Sequence, residues 1–184
     1  FTHAECRFGY RDSAFKHEHK GKYLITRVAL TLSKQPILNT SYGAIGEELA
    51  RRTASPTIRD VSEVVCDIRR SKLPDPAEIG NAGSFFKNPV IARSHYERLV
   101  EAYPALPQYP AGEGQVKVPA AWLIEACGWK GRRFGNYGVH KNQALVLVNY
   151  GGASGADIYR LSGEILDSVR ERFGIVLERE VNVV

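Results

Sequence analysis

The sequence has 184 residues, of which 43% are hydrophobic and 24% are charged, and its formal net charge is +5. This length can fill one domain, or one and a half, with a sizeable core, and the composition excludes a disordered chain. No apolar run approaches the ~20 residues of a membrane-spanning helix, and no charged, apolar and small-residue series opens the chain as a signal peptide would. We therefore expect a soluble protein without a membrane partner.

The cysteines and the basic residues exclude further classes of protein. The chain has three cysteines, Cys6, Cys66 and Cys127, and none of them has C-x-x-C spacing. An odd number without this spacing argues against a disulfide framework and a zinc site. Basic residues are scattered among acidic ones, and no RNA-binding motif or basic helix accompanies them. The sequence thus predicts reduced thiols and no nucleic-acid partner, whereas a small substrate rich in phosphate suits the positive charge.

The first predicted elements are a strand and a helix. Apolar residues alternate over residues 23–32, which predicts a half-buried strand. A helix is predicted over residues 57–72, because Thr57 and Asp60 have the spacing of a capping box and apolar residues recur at helical intervals. Pro74 then interrupts both helix and sheet, so we place a domain boundary in front of it.

Helices and a loop are predicted next. Ser94 and Glu97 have the spacing of a second capping box, which indicates a short amphipathic helix. Prolines then predict a loop over residues 104–115. A short helix is predicted over residues 120–127, with Gly128 as its C-cap.

The last third of the chain predicts strands on either side of a long helix. Residues 144–149 are continuously apolar and indicate a buried strand, and the longest helix is predicted to begin at Ser154 and end at Gly174. Two short strands are predicted near residues 175–177 and 181–184. Strands that look antiparallel, mixed with isolated helices, indicate an α+β fold.

The run GNAGSFFKNP at residues 80–89 is the strongest functional signal. It places Ser84 after a glycine, with Lys87 and Asn88 close behind. Glycine lets the backbone and a hydroxyl approach a ligand closely, so we interpret the run as a site and not as a fold element. From the residues alone, the simpler alternative is a loop serine that bonds its own backbone.

This run resembles the serine-bearing signature of the UDP-N-acetylenolpyruvoylglucosamine reductase family. YRDS at residues 10–13 and RRSKLPDP at residues 69–76 resemble two further segments of that family. Other similar blocks follow in the family's order, at residues 121–125, 129–131, 139–140, 144–149 and 177–180. Two departures are notable: the family usually has proline where Arg179 stands, and its N-terminal flavin-binding half is absent from the sequence.

The resemblance implies a reaction and three catalytic residues. It implies a cytoplasmic enzyme of peptidoglycan precursor synthesis that uses FAD and NADPH to convert UDP-N-acetylglucosamine enolpyruvate to UDP-N-acetylmuramate. Ser84 would donate a proton to the enolpyruvyl carbon beside the one that receives hydride, and Arg11 and Glu180 would act around the substrate's carboxylate. An isolated arginine is more often a surface ion-pair partner, here of Asp12, and that alternative stays open. Because the three residues come from both ends of the chain, their site is expected at an interface of two lobes.

The resemblance also implies contacts to the substrate. Tyr42, Lys72 and Asn88 would bind the diphosphate, Tyr109 would lie on a loop that closes over the substrate, and Lys130 and Gln143 are weaker candidates for the nucleotide end. Cationic, hydroxyl and amide donors suit phosphate oxygens. For the two tyrosines, a role as partly buried aromatic residues remains the alternative.

The domain assignment follows from the same resemblance. Residues 1–73 would be a remnant, the C-terminal part, of the FAD-binding domain, and residues 74–175 a substrate-binding domain of α/β-sandwich-like form. Residues 176–184 would be a strand that returns toward the FAD lobe. Most of the flavin site would lie in the missing N-terminal region, so we expect the chain alone to bind no FAD and to be inactive. The alternative function is a non-catalytic module that binds a UDP-sugar.

Three weaker patterns predict other chemistries. The glycine-rich residues 151–155 lack the G-x-G-x-x-G spacing of a dinucleotide site, so a plain loop and helix cap are preferred. His17 and His19 lack a third ligand, so no metal site is expected. Ser84 and His140 would suit a hydrolase, but no G-x-S-x-G elbow surrounds the serine.

Overall fold

The computed structural model describes residues 1–183 of the chain. The chain divides into two compact units, Phe1–Val61 and Ser62–Val184. This division lies upstream of the boundary predicted in front of Pro74, and the three predicted domain assignments stay predictions. None of the described helices is long and apolar enough to cross a membrane.

The first unit has short helices and long irregular segments. Its elements are helix α1 (His3–Cys6), a 3₁₀ turn (Ala14–Lys16) and helix α2 (Ile45–Arg52). Thr2 and Glu5 form a capping box at the start of α1. The buried apolar side chains described in this unit are Cys6, Ala14 and Leu49.

The strand predicted over residues 23–32 is wrong. These residues form no helix or strand, and Leu24, Leu30 and Leu32 are 87%, 77% and 81% exposed. A segment in which apolar and polar residues alternate forms a strand only where a neighbouring strand pairs with its backbone groups and another layer covers its apolar face. No strand among the described residues pairs with this segment.

Helix α3 spans Ile58–Lys72, as predicted. Its capping box is present, because the Thr57 hydroxyl accepts the Asp60 N–H at 3.4 Å and the Asp60 carboxylate accepts the Thr57 N–H at 2.7 Å. Val64 is the buried residue of this helix.

The second unit contains two antiparallel sheets. The strands are β1 (Gly80–Ser84), β2 (Val90–Ala92), β3 (Tyr109–Pro110), β4 (Gln115–Lys117), β5 (Arg133–Phe134), β6 (Tyr137–Val139) and β7 (Val146–Asn149). Within the described residues the sheet orders are β1-β7-β6-β5 and β2-β4-β3. Strand β7 confirms the predicted apolar strand and lies between β1 and β6. The β3–β4 pair was not predicted, since the prolines hid a two-residue strand inside the predicted loop.

Three helices accompany these sheets: α4 (Arg93–Ala102), α5 (Ala120–Ala126) and α6 (Gly155–Phe173). Helix α6 begins after Ser154 and ends before Gly174, as predicted. Ser154 forms a capping box with Asp157, and the φ of 65° at Gly174 suits glycine. The C-cap of α5 is Cys127 and not Gly128 as predicted; Gly128 follows the cap with a φ of 78°, a conformation that suits glycine. The capping box predicted for α4 is wrong, because β2 runs directly into the helix and Ala92 occupies the N-cap.

The core of the second unit joins its sheets and helices. Helix α6 packs against β6, β7 and α5. Among the largest fully buried side chains are Phe86, Leu123, Leu161 and Ile165. Each such side chain contributes about 1.5–3 kcal/mol of hydrophobic stabilisation. Antiparallel sheets with helices packed on them confirm the α+β class.

The strands predicted at the C-terminus are wrong within the described residues. Residues 175–177 are not a strand, although Ile175 and Leu177 are buried in the core. Residues 181–183 also lack strand structure, and Val184 lies outside the described residues. One isolated bridge, between Phe86 and Arg179, is the β-pairing that this segment makes.

Candidate functional site

The first half of the Ser84 run is a strand, whereas the sequence analysis interpreted the run as a site and not as a fold element. It forms β1, with Asn81 opposite Val148 and Ser84 opposite Val146, and the register shifts between these pairs. Gly83 within the shift has a φ of +71°, a conformation that glycine adopts without strain. The glycine-rich run therefore builds an irregular strand that ends at a half-buried serine.

Asn81 holds this irregular strand together. Its Oδ1 accepts the N–H of Gly83 at 3.0 Å, and its Nδ2 donates to the carbonyl of Ile79 at 2.9 Å. Sequence reasoning missed this role. The signal that was available is the Asn-x-Gly pattern, because asparagine side chains commonly bond the backbone two residues on.

The hydroxyl of Ser84 is not used by the protein's own backbone. Within residues 1–183 it makes no hydrogen bond. The alternative of a loop serine that bonds its own backbone therefore does not describe this structure. The hydroxyl retains both its proton and its lone pairs for another molecule.

The C-terminal segment brings Glu180 to the end of β1. The Glu180 N–H donates to the carbonyl of Phe85 at 2.8 Å, and the Lys87 N–H donates to the carbonyl of Glu178 at 2.9 Å. The side chains of Lys87 and Glu178 are also paired, with Nζ and Oε1 2.5 Å apart. Two of the three predicted catalytic residues, Ser84 and Glu180, thus belong to one locally paired structure.

Two cavities border strand β1, and Asn81 lines both. The smaller has a volume of about 430 Å³ and lies between β1, β7, the start of α6 and the C-terminal segment, with Ala82, Phe85 and Tyr159 among its lining residues. The larger has a volume of about 650 Å³ and is lined by Gly83 and by charged and polar side chains that include Arg69, Arg70, Asp75, His140 and Asn142. Ser84 is not among the residues that line either cavity, although its neighbours Gly83 and Phe85 each line one of them.

His140 lines the larger cavity as a buried histidine. It is 7% exposed, and its Nδ1 accepts the N–H of Asn142 at 3.4 Å. Burial, followed by the nearby charge of Lys141, lowers the pKa of His140. Among the described residues no hydrogen bond joins His140 to Ser84, so the arrangement needed by a serine hydrolase is not formed.

Three of the five predicted substrate residues in the second unit have structural partners of their own. Asn88 Oδ1 accepts the Ala120 N–H at 2.9 Å at the start of α5, and Lys130 Nζ lies 2.9 Å from Glu125. Gln143 Oε1 accepts the Leu145 N–H at 3.3 Å, Tyr109 in β3 is 52% exposed, and Lys72 is exposed at the end of α3. Their substrate roles stay predictions.

Arg11 lies in a tight turn of the first unit. Gly9 and Asp12 pair through backbone bonds of 3.0 and 3.3 Å, which leaves Tyr10 and Arg11 at the tip of the turn. Arg11 has a φ of 55°, which costs a residue other than glycine about 1–2 kcal/mol, and its carbonyl accepts Lys16 Nζ at 2.8 Å. The turn thus fixes the backbone of Arg11. The predicted site of Arg11, Ser84 and Glu180 would need residues from both units, and it stays a prediction. The predicted substrate role of Tyr42, which is 83% exposed, also stays a prediction.

The weaker sequence patterns are ordinary structural features. The His17 ring lies 2.7 Å from the carboxylate of Asp12, and no cluster of three metal ligands occurs in the part of the chain that the structure describes. In the glycine-rich loop, Asn149 Oδ1 accepts the N–H groups of Gly151 at 2.9 Å and Ala153 at 3.3 Å. The loop is therefore held by an asparagine and leads into the capped helix α6.

Comparison with known proteins places these features in a family. The family model described as UDP-N-acetylenolpyruvoylglucosamine reductase, C-terminal domain, matches residues 75–184. The reductase of that name from Flavobacterium johnsoniae is 55% identical over 186 residues, which cover 100% of this chain and 55% of that protein. The one from Pseudomonas aeruginosa is 53% identical over 184 residues, which cover 100% of this chain and 54% of that protein.

A crystal structure of UDP-N-acetylenolpyruvylglucosamine reductase from Thermus caldophilus is 25% identical and matches with a TM-score of 0.39, over 68% of this chain and 34% of that one. The chain spans about half the length of the curated relatives it matches. Because the family model matches more than half of the chain and includes both Ser84 and Glu180, the chain belongs to the UDP-N-acetylenolpyruvoylglucosamine reductase family.

Proposed function

We propose that the full-length protein that carries this chain is an NADPH-dependent oxidoreductase. It would convert UDP-N-acetylglucosamine enolpyruvate to UDP-N-acetylmuramate, a step of peptidoglycan precursor synthesis, with FAD as its cofactor. The names of the relatives support this reaction class. The single observation that carries the proposal is the backbone pairing of residues 85–87, which directly follow Ser84, with residues 178–180, which include Glu180.

Ser84 is the proposed proton donor. A hydroxyl is a weak acid, so it donates effectively only when it is held against the reacting carbon and its developing charge is stabilised by neighbours. The end of strand β1 fixes the position of Ser84, and its proton is not committed to a hydrogen bond within the described residues. These are properties that a general acid needs.

Glu180 and Arg11 are proposed to act on the substrate's enolpyruvyl group. A planar guanidinium can bind a carboxylate through two parallel N–H donors, and the turn fixes the backbone that carries the Arg11 side chain. Glu180 would help to polarise the enolpyruvyl group. Its backbone bond to Phe85 keeps it near the serine strand.

The remaining candidates are proposed as contacts to the UDP part of the substrate. Lys72 and Tyr42 offer a cation and a hydroxyl to the diphosphate. Asn88 uses its side-chain oxygen on helix α5, so its NH₂ group is the part of the amide that suits phosphate oxygens. Tyr109 would cover the substrate, and Lys130 and Gln143 would lie toward the nucleotide.

The flavin, when bound, supplies the hydride. We assign no residue of this chain to its binding, and the chain's own contribution is to grip and orient the substrate and to supply the proton. A chain that does this without the rest of the protein would behave as a UDP-sugar-binding module.

A Ser84→Ala substitution in the full-length protein tests the proposal. Reduction of bound flavin by NADPH needs no proton from Ser84, whereas reduction of the enolpyruvyl substrate does. We expect the first half-reaction to be unchanged and the second to slow by about 10²–10⁴-fold, the range for loss of a general acid. Stopped-flow absorbance measures the two half-reactions in separate experiments.

Two further variants sharpen this test. Ser84→Cys should keep part of the second half-reaction because a thiol can also supply a proton. Ser94→Ala, at an exposed serine in α4, is the matched control and should change neither half-reaction. Equal slowing of both half-reactions in Ser84→Ala would show that the serine shapes the pocket and does not donate the proton.

A further inference from the structure

We propose that Arg179 is a positioning residue that anchors the Glu180 segment to helix α6. The anchor consists of Ser162 and Tyr159, and it fixes the backbone of Glu180 beside the Ser84 strand. The structural part of this inference stands on the contacts alone. Its catalytic consequence rests on the proposed function.

The first contact is a directed hydrogen bond. Arg179 Nε donates to the Ser162 hydroxyl at 2.7 Å, and that hydroxyl donates in turn to the carbonyl of Tyr159 at 2.6 Å. Ser162 is fully buried. Because its one proton is committed to the carbonyl, a lone pair of the hydroxyl is left to face the guanidinium. A hydrogen bond from a charged donor is stronger than a neutral one.

The second contact is with an aromatic ring. The Cζ atom of Arg179 lies 4.3 Å from the ring centroid of Tyr159, within the range of a cation–π interaction. A planar guanidinium can lie over a ring and donate from Nε at the same time, whereas a lysine ammonium cannot do both. Together the two contacts fix the position and the plane of the Arg179 side chain.

The anchor acts on the backbone next to Glu180. Arg179 is the bridge residue opposite Phe86, and the two backbone bonds beside the bridge use the Glu178 carbonyl and the Glu180 N–H. Beyond Glu180, no hydrogen bond is seen within the described residues. The side-chain contacts of Arg179 therefore add to these backbone bonds in holding the backbone next to Glu180.

The experiment uses Arg179→Ala in the full-length protein, with Arg170→Ala as a matched control. Arg170 is an exposed arginine of α6 whose ion pair, 3.0 Å long, is with Asp167. Hydrogen exchange should be about tenfold faster at the Glu180 amide in Arg179→Ala and unchanged in Arg170→Ala. The kcat for reduction of the enolpyruvyl substrate should fall about 10–100-fold, as for a small misplacement of a catalytic group. Flavin reduction by NADPH should stay unchanged.

Two more substitutions separate anchoring from charge and from folding. Arg179→Lys keeps the charge but not both contacts, and its exchange rate should lie between those of the wild type and Arg179→Ala. Ser162→Ala keeps Arg179 but removes the acceptor, so it should accelerate exchange at Glu180 in the same direction. Thermal unfolding of each variant shows whether the effect is local, because a local change leaves Tm nearly unaltered.

Arg179→Pro tests the backbone side of the inference. Proline removes the Arg179 side chain but fixes φ, and the one backbone group that it removes is an amide N–H, which the bonds beside the bridge do not use. We expect this variant to recover part of the kcat that Arg179→Ala loses. Failure to recover any of it would count against a role through the backbone.

The outcomes are distinguishable from failure of the proposed function. Unchanged exchange at Glu180 in Arg179→Ala would overturn the anchor whatever the activity. Faster exchange with unchanged kcat would overturn its catalytic consequence. If the wild-type protein does not reduce the enolpyruvyl substrate but exchange responds as expected, the proposed function fails and the anchor is supported.

Discussion

His140 is the described histidine whose surroundings most clearly favour the neutral ring. Its side chain is buried, and burial together with Lys141 lowers its pKa from the ordinary value of 6.5. The unfolded chain therefore takes up a proton at a higher pH than the folded protein does. The contribution of His140 to folding stability is full above about pH 6.5 and is lost as the pH falls toward the lowered pKa.

We expect this histidine to make the protein less stable in weak acid. Between pH 7.5 and pH 5.5 the Tm of the wild type should fall, and it should fall less in His140→Gln, which cannot gain the charge. A chain of this length changes Tm by about 2–4 °C per kcal/mol. His3→Gln, at an exposed histidine, is the control and should keep the wild-type pH dependence. An identical fall in all three proteins would mean that His140 does not carry the effect.

At the scale of elements, two helices begin with the same chemistry but differ in what they bury. The capping box of α6 pairs Ser154 with Asp157, and that of α3 pairs Thr57 with Asp60. The bonds from Ser154 lower the pKa of Asp157, so this carboxylate stays charged at the positive end of α6. Helix α6 buries one whole face, whereas α3 buries Val64.

This difference predicts unequal effects of equal substitutions. Ser154→Ala should cost about 1 kcal/mol, typical for loss of an N-cap, and lower the Tm of the main unfolding transition by about 2–4 °C. Thr57→Ala should lower it less, because a helix with little buried surface frays locally before the protein unfolds. Calorimetry of the two variants measures both shifts. Equal shifts would indicate that α3 unfolds together with the core.

The elements that sequence patterns predicted correctly are those with local signals. Helices α3 and α6 have capping boxes and apolar periodicity, and β7 is a short apolar run between polar turns. The failures are segments whose structure depends on distant partners. Residues 23–32 alternate like a strand but pair with nothing described, and the Ser84 run became a strand because β7 pairs with it.

In the candidate site, too, the sequence predicted individual residues but not the contacts between distant parts of the chain. Ser84 stood out because the neighbouring glycine lets the backbone and the hydroxyl approach a ligand closely, and the family resemblance suggested Glu180. No local pattern predicts that the Glu180 N–H bonds the Phe85 carbonyl, since that contact joins opposite ends of the second unit. The hydrogen bond between Arg179 and Ser162 could not be predicted from the sequence either, because it depends on which face of α6 the C-terminal segment contacts.

At the scale of the whole molecule, the two units differ in how much of their apolar surface is covered. The second unit has a continuous core of helices and sheets. In the first unit, residues 23–32 leave a row of large apolar side chains exposed, and Ile37 beyond them is 97% exposed. Isolated apolar residues on a surface are normal, but an alternating row of them is typical of a strand that pairs with a sheet. The curated relatives are about twice as long as this chain, so we expect the rest of a full-length protein to cover this segment.

Limited proteolysis tests that expectation. Arg27 lies in the irregular segment and Arg170 lies in α6, and both are exposed, so they differ as trypsin sites in the backbone around them. Proteases cut irregular backbone far more readily than a helix, which must first open. In the 184-residue chain we expect cleavage after Arg27 at least about tenfold faster than after Arg170. In the full-length protein, cleavage after Arg27 should slow toward the rate at Arg170, because strand pairing would protect it. If Arg27 is cut equally fast in both proteins, residues 23–32 are an exposed loop in their own right and the alternation of their apolar residues has another cause.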